Sequence, residues 1–346
     1  MAKKPEPIVR LAAQTARQIF ANSGNYMAFL TTAAHNFKYS FRDQLLIYAQ
    51  KPDATACAQT DFWNKHGRWV NKGTTGIALL VDTDKGYKLR HVFDMSDTNS
   101  RAGRTVPVWQ MRPQYEGPVV EALENSYGEF SDKSDFAACL LETAKIIVED
   151  NFGDYYADLC RIKEGSLLEE LDDLNTEVWF KGLLENSVAY IMLTRCGIDP
   201  QEYFSGEDFA RIYDFNTLKT LVILGAAASD IAEMPLREIA STVLPLYWEE
   251  EKQNRTFAGN PDRQYNDGRT KRERSVEHGA DIQNRGRLST AQPGRAGGTE
   301  GRKIWDAAAQ FPRQSPARDL HRDAVDRGTE RPSGEDRPGG HRDGGA

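Results

Sequence analysis

Residues 77–93 have the sequence Ile-Ala-Leu-Leu-Val-Asp-Thr-Asp-Lys-Gly-Tyr-Lys-Leu-Arg-His-Val-Phe. The apolar run at 77–81 predicts a buried β-strand, and the alternation of apolar and cationic residues at 87–93 predicts a second strand with one polar face. The polar segment between them ends in Gly86 and is typical of a turn. The sequence therefore predicts a hairpin within a small antiparallel sheet.

Helical patterns precede this hairpin. Apolar residues recur at three- and four-residue intervals from 8 to 37. Ser40, followed three residues later by Asp43, predicts the start of a further helix, and Pro52 predicts its end. Residues 1–115 are therefore expected to form an α+β domain, with helices first and the sheet after them.

The rest of the chain differs in composition. Residues 116–252 carry helical periodicity with little strand signal, which predicts an all-α domain; the helical segments expected there are 119–123, 136–148, 167–171, 178–193, 209–223 and 231–247. From residue 259 onward, 14 of 88 residues are glycine and 6 are proline. Such a composition buries too little apolar surface to offset its conformational entropy, so 253–346 is predicted to be a disordered tail.

The formal charge of −7 is unevenly distributed. Residues 1–115 have a net charge of +8, residues 116–258 of −18 and residues 259–346 of +3. A basic region attracts polyanions, so the first third is the natural place for a nucleic-acid partner. The alternative is that the basic and acidic regions simply neutralise each other.

Cysteine usage and hydropathy indicate the compartment. The four cysteines are scattered, without the spacing of a thiolate zinc site, and no signal peptide or membrane-spanning apolar run is found. We therefore expect a cytoplasmic protein with no membrane partner.

Residues 61–80 combine aromatic and cationic side chains in front of the first strand. Two indoles, Trp63 and Trp69, alternate with Lys65, Arg68 and Lys72. Unpaired bases stack on aromatic rings while cations contact the phosphates, so this composition favours single-stranded nucleic acid. The alternative is that the indoles belong to the core and the cations form a solvated face.

The second strand extends the candidate site. Lys88 and Arg90 are expected on one face of it and Tyr87 on the other. Arg101, Arg104 and Arg112 follow. The candidate nucleic-acid-binding residues are Lys65, Arg68, Trp69, Lys72, Tyr87, Lys88 and Arg90.

Two segments carry a resemblance to a known family. They are Tyr-Ser-Phe-Arg-Asp-Gln-Leu-Leu-Ile at 39–47 and, beyond Trp63, Gly-Arg-Trp-Val-Asn-Lys-Gly-Thr-Thr-Gly-Ile at 67–77. In order and spacing they resemble the N-terminal domain of ArdC-type antirestriction proteins, over roughly residues 10–110. The resemblance implies binding of single-stranded DNA in a conjugative-element protein, and it rests on a structural motif comprising Tyr39, Ser40, Trp63, Gly67, Gly73 and Gly76.

The same family usually carries a zinc metalloprotease-like helical domain. No histidine lies between His91 and His278, so its His-Glu-x-x-His helix is absent from the helical region. Residues 185–193 resemble the helix that supplies the third zinc ligand, but Glu185 alone does not hold a metal. Because the sequence departs from the family at this motif, we expect no metal and no cofactor. The resemblance implies helicase-like or methyltransferase-like domains as partners further along a longer protein.

Other patterns are weaker. The lysine of 72–76 precedes its glycines, unlike that of a phosphate-binding P-loop, and Cys57 near His66 lacks a third group to orient the pair. The acidic run 169–173 is a solvated helix face or a mimic of DNA charge. We expect a non-catalytic single-stranded DNA-binding module; a diverged metal-dependent hydrolase and a protein-interaction adaptor remain the alternatives.

Overall fold

The computed structural model of the chain describes residues 5–84, 86–100 and 108–258, the last five without their side chains. The segment 259–346, predicted to be disordered, lies outside the described residues. The residues predicted to start that tail, 253–258, instead continue the last helix.

Three helices come first. They are α1 (Glu6–Ile19), α2 (Ser23–His35) and α3 (Phe41–Gln50). The Asn22 side chain caps α2 by accepting a hydrogen bond from the Asn25 amide at 2.7 Å. Ser40 caps α3 by accepting from the Asp43 amide, which confirms the predicted helix start.

The strands that follow form two small antiparallel sheets. The elements in chain order are β1 (Cys57–Ala58), α4 (Thr60–Lys65), β2 (Trp69–Val70), β3 (Ile77–Thr83), β4 (Gly86–Asp94) and β5 (Thr98–Asn99). The strand order is β1-β4-β3 in one sheet and β2-β5 in the other. The predicted hairpin is confirmed as β3 and β4, with Ile77 opposite Val92 and Thr83 opposite Gly86.

Helix α3 covers the outer edge of β3. The Gln50 side-chain amide donates to the Ala78 carbonyl at 3.0 Å and accepts from the Ala78 amide at 2.9 Å. Arg42 donates from Nη2 to the Leu80 carbonyl at 3.1 Å. An edge strand otherwise exposes such groups to water or to other chains, so these two side chains close the sheet on this side.

Residues 116–252 are mostly helical, as predicted, and the helices extend beyond that range at both ends, from Pro113 to Ala258. Their helices are α5 (Pro113–Tyr127), α6 (Phe136–Ile162), α7 (Asp173–Cys196) and α8 (Leu218–Ala258), with 3-10 turns at Leu167–Glu170, Pro200–Glu202 and Gly206–Asp214. Asp135 and Asp172 cap α6 and α7, and Gly197 ends α7 in the left-handed conformation at φ 81°. The segment predicted as two helices from 209 to 247 is a 3-10 turn followed by the single helix α8.

The helices of the predicted first domain share a core with those of the second. Tyr26 of α2 is fully buried, and its hydroxyl lies 2.9 Å from Ser187 Oγ of α7. Arg195 of α7 is stacked 3.4 Å from the Trp109 ring centroid and donates to the Trp109 carbonyl at 2.9 Å. Burial lowers the pKa of Arg195 to about 10. Residues on either side of position 115 therefore belong to one packed unit.

Candidate nucleic-acid interface

The two indoles of the basic stretch lie in opposite environments. Trp63 on α4 is 1% exposed, and its Nε1 donates to the carbonyls of Ala58 at 3.1 Å and Phe93 at 3.0 Å. It therefore fixes α4 against β1 and β4. Trp69 on β2 is 48% exposed. Only the second indole presents its surface to a ligand.

Arg68 holds the strand that carries Trp69. Its Nε donates to Thr98 Oγ1 at 2.8 Å, and its Nη2 donates to the carbonyls of Thr98 at 2.9 Å and Met95 at 3.3 Å. These bonds join β2 to β5 and to the turn before it. The hydrogen-bond donors of the guanidinium are thus largely used within the protein. Their main effect is to hold the strand that carries Trp69.

The cations of β4 differ from each other. Arg90 forms an ion pair with Asp43 of α3 at 2.9 Å, and the Asp43 side chain is only 11% exposed. Lys88 is exposed and lies on the same face of the strand, two residues earlier. The predicted shared face is therefore present, but one of its two charges is already neutralised.

Tyr87 faces the opposite side of β4 from these cations. The Arg42 guanidinium lies over its ring, 5.4 Å from the centroid, and is paired with Asp82 at 2.9 Å. The half-buried Tyr87 is thus part of an Arg-Tyr-Asp arrangement within the protein. Any stacking with a base there competes with Arg42.

The exposed aromatic and cationic side chains of the stretch define what we call the α4–β2 surface. It comprises Phe62, Lys65, His66, Trp69 and Lys72, all exposed. The Phe62 and His66 rings lie 4.2 Å apart between centroids, and His66 Nδ1 is 2.8 Å from the Phe62 carbonyl. Sequence reasoning missed these two as site residues, although their spacing of four residues on a short helix is the signal that aligns them.

The structural motif residues position this surface. Tyr39 donates from its hydroxyl to the Cys57 carbonyl at 2.7 Å. Gly67 and Gly73 have φ of 71° and 90° and shape the turns on either side of β2. A Cβ at Gly76 would lie 2.9 Å from the Phe93 ring, so a larger residue there displaces β4.

Of the three arginines that follow β4, Arg112 alone lies among the described residues, and it does not add to the α4–β2 surface. Arg101 and Arg104 lie outside the described residues. Arg112 is paired with Glu250 of α8 at 2.8 Å, and its guanidinium lies 5.6 Å from the Tyr247 ring centroid.

Catalytic groupings were also sought. Within the described ranges, no cluster of three histidine, cysteine or carboxylate side chains fits a metal ion. Burial raises the pKa of the Glu185 carboxyl and raises that of the Cys57 thiol to about 12. A thiol with that pKa is protonated at neutral pH, which argues against Cys57 as a nucleophile.

Comparison with known proteins gives no relative. No family model matches the chain, and neither the curated proteins nor the solved structures contain a significant match. No helix of the described part is long and apolar enough to cross a membrane.

Proposed function

We propose that the protein binds single-stranded DNA through the α4–β2 surface. The observation that carries the proposal is the position of Trp69: its indole is 48% exposed, while the neighbouring Arg68 is fixed by three hydrogen bonds. An exposed ring on a strand that is held in place offers a stacking platform for a base.

The charges around this ring support the same function. Lys65 and Lys72 are both exposed, and no ion pair is found for either among the described residues. They are free to contact phosphates. Lys88 supplies a further exposed cation on β4, whereas Arg68, Arg90 and Tyr87 act by shaping the protein around the surface.

The proposal agrees with the resemblance of residues 39–77 to ArdC-type N-terminal domains. A protein of that class works on DNA that enters a cell during conjugation, which fits a cytoplasmic location. Larger proteins of conjugative elements join such a module to helicase-like or methyltransferase-like domains, which are the partners we propose.

The test is fluorescence anisotropy with a labelled 20-nucleotide single strand and the corresponding duplex, over a salt series. Trp69→Ala should weaken single-strand binding by about 1–3 kcal/mol, the usual value of one stacked base. The matched control is Trp248→Ala, because Trp248 of α8 is also an exposed indole, at 50%. Equal losses in the two variants, or equal affinity of Trp69→Ala and wild type, would contradict the assignment.

A second pair of variants isolates the charges. Lys65→Glu combined with Lys72→Glu should weaken binding and flatten its salt dependence, since each phosphate contact on a single strand contributes a slope of about −0.7. The control is Lys145→Glu with Lys219→Glu, two exposed lysines of α6 and α8. If the control variant loses as much affinity, the effect comes from net charge and not from this surface.

A further inference from the structure

The start of α7 carries an apolar face that the described residues leave uncovered. Leu174 and Val178 are 71% and 57% exposed and lie one helical turn apart. The opposite face of the helix is already packed, with Thr176 and Phe180 fully buried. The core therefore does not account for these two aliphatic side chains.

The surroundings of this face favour contact with another helix. Leu167, in the 3-10 turn before α7, is a third exposed aliphatic residue at 48%. Gly182, two turns beyond Leu174, has open space where a Cβ would stand. A partner backbone can therefore approach α7 closely at that point.

The sequence around the face is strongly acidic; one cation from outside it, Arg211, stacks on the Trp179 ring at 3.6 Å from the centroid and pairs with Asp214. Residues 149–185 contain eleven carboxylates and three cations. All three cations are ion-paired, Arg161 with Asp158, Lys163 with Asp173 and Lys181 with Glu149. Of the remaining carboxylates, Asp172 at the N-cap of α7 and Glu177 belong to the same helical turns as Leu174 and Val178, and we call these two the acidic rim.

We propose that this acidic-rimmed face docks a basic amphipathic helix of a protein partner. The aliphatic side chains of that helix would cover Leu174 and Val178, and its lysines or arginines would face carboxylates such as Glu177. A polynucleotide is disfavoured because it would meet like charge. A second copy is disfavoured because a two-fold contact would set one acidic rim against another. The proposal does not depend on DNA binding by the α4–β2 surface.

The probe is a fluorescein-labelled 18-residue peptide with leucine at helical positions i, i+4, i+7 and i+11 and lysine or alanine elsewhere. A scrambled peptide of the same composition lacks the apolar face. We expect the full chain to bind the amphipathic peptide about tenfold tighter than the scrambled one, because burial of one aliphatic side chain corresponds to about a factor of ten.

Leu174→Ser combined with Val178→Ser should reduce binding of the amphipathic peptide to the level of the scrambled one. Trp248→Ser, another exposed apolar position, should leave it unchanged, as should Trp69→Ala. Circular dichroism checks that the variants keep their helices. Equal binding of both peptides by wild type, or full binding by the double variant, would overturn the proposal. Sedimentation of the free chain tests the competing occupant: self-association lost in the double variant would assign the face to a second copy and also overturn it.

Discussion

Arg68 donates hydrogen bonds to both the hydroxyl and the carbonyl of Thr98, so a cation of the basic stretch joins strands β2 and β5. These bonds hold in place the strand that carries Trp69, the next residue. The exposed Lys72, three residues further on, has no comparable contact in the described structure. Two cations of one sequence motif therefore have separable roles.

Substitution of these two cations should separate stability from binding. Arg68→Gln removes bonds from a half-buried guanidinium and should lower the free energy of unfolding by about 1–3 kcal/mol. Lys72→Gln should leave urea unfolding unchanged and reduce the slope of log affinity against log salt by about 0.7. A loss of stability in the lysine variant, or none in the arginine variant, would refute this division.

The two indoles should differ in the same way. Trp63→Phe keeps an aromatic ring but removes the donor shared by the Ala58 and Phe93 carbonyls, and should cost about 1–3 kcal/mol of stability. Trp69→Phe should change stability by less than about 0.5 kcal/mol, as is usual at exposed positions. Both values come from urea titrations followed by circular dichroism. Similar losses at the two positions would mean that Trp69 is also part of the core.

Local patterns in the sequence were sufficient for the first helices and the hairpin, but not for the short strands β1, β2 and β5 or for the single helix α8. The continuous apolar run over 77–81 predicts a strand covered on both faces, and its first four residues are buried, whereas Val81, nearer the hairpin turn, is 37% exposed. The Ser40 cap and the turn at Gly86 could likewise be predicted from the sequence, because each depends only on its immediate neighbours.

Long-range pairing accounts for what the sequence did not predict. The pairing of Arg90 with Asp43 joins residues 47 positions apart, so no spacing rule identifies it. The fixation of Arg68 and the stacking of Arg42 on Tyr87 are of the same kind. Composition locates cations, but only the tertiary fold shows which of them are already neutralised.

Asp94 should make stability depend on acid pH. Its side chain is 1% exposed; burial acts to raise the pKa of its carboxyl, but hydrogen bonds from the Ala56, Ser96 and Thr55 amides outweigh burial and lower it. A lowered folded-state pKa gives stabilisation that is complete above the ordinary value of 3.8 and is lost as the pH falls below it.

Asp94→Asn should therefore be less stable than wild type at pH 7, and the difference should shrink between pH 5 and about pH 2. Urea unfolding across that range measures it. Asp84→Asn, at an exposed position in the hairpin turn, is the control and should follow the wild-type curve. A difference between Asp94→Asn and wild type that stays constant with pH would show that the charge of Asp94 has no part in it.

A glycine of α8 permits close contact with α3. A Cβ at Gly225 would lie 2.2 Å from the Phe41 ring. Gly225→Ala should therefore cost about 1–3 kcal/mol, as overpacking of a core does. At Gly153 of α6, where no atom lies within 4 Å of the added Cβ, alanine should instead stabilise by about 0.5–1 kcal/mol. Thermal melts measure whether each variant is more or less stable than wild type. A Gly225→Ala variant more stable than wild type would contradict the close packing of α3 and α8.

A fragment of residues 1–115 should not fold by itself. Its helix α2 buries Tyr26, Phe29 and Leu30, and Tyr26 contacts Ser187 of α7 and packs edge-on against Phe209 at 5.8 Å between ring centroids. Removal of the later helices exposes this apolar face to water, so the fragment loses part of the core that stabilises α2. For this fragment we expect no cooperative thermal transition by circular dichroism and poorly dispersed amide resonances. A fragment of residues 1–258 should instead give a cooperative transition and well-dispersed resonances. Cooperative unfolding of the short fragment would mean that the basic region is an independent domain and that its contacts with α7 contribute little to its stability.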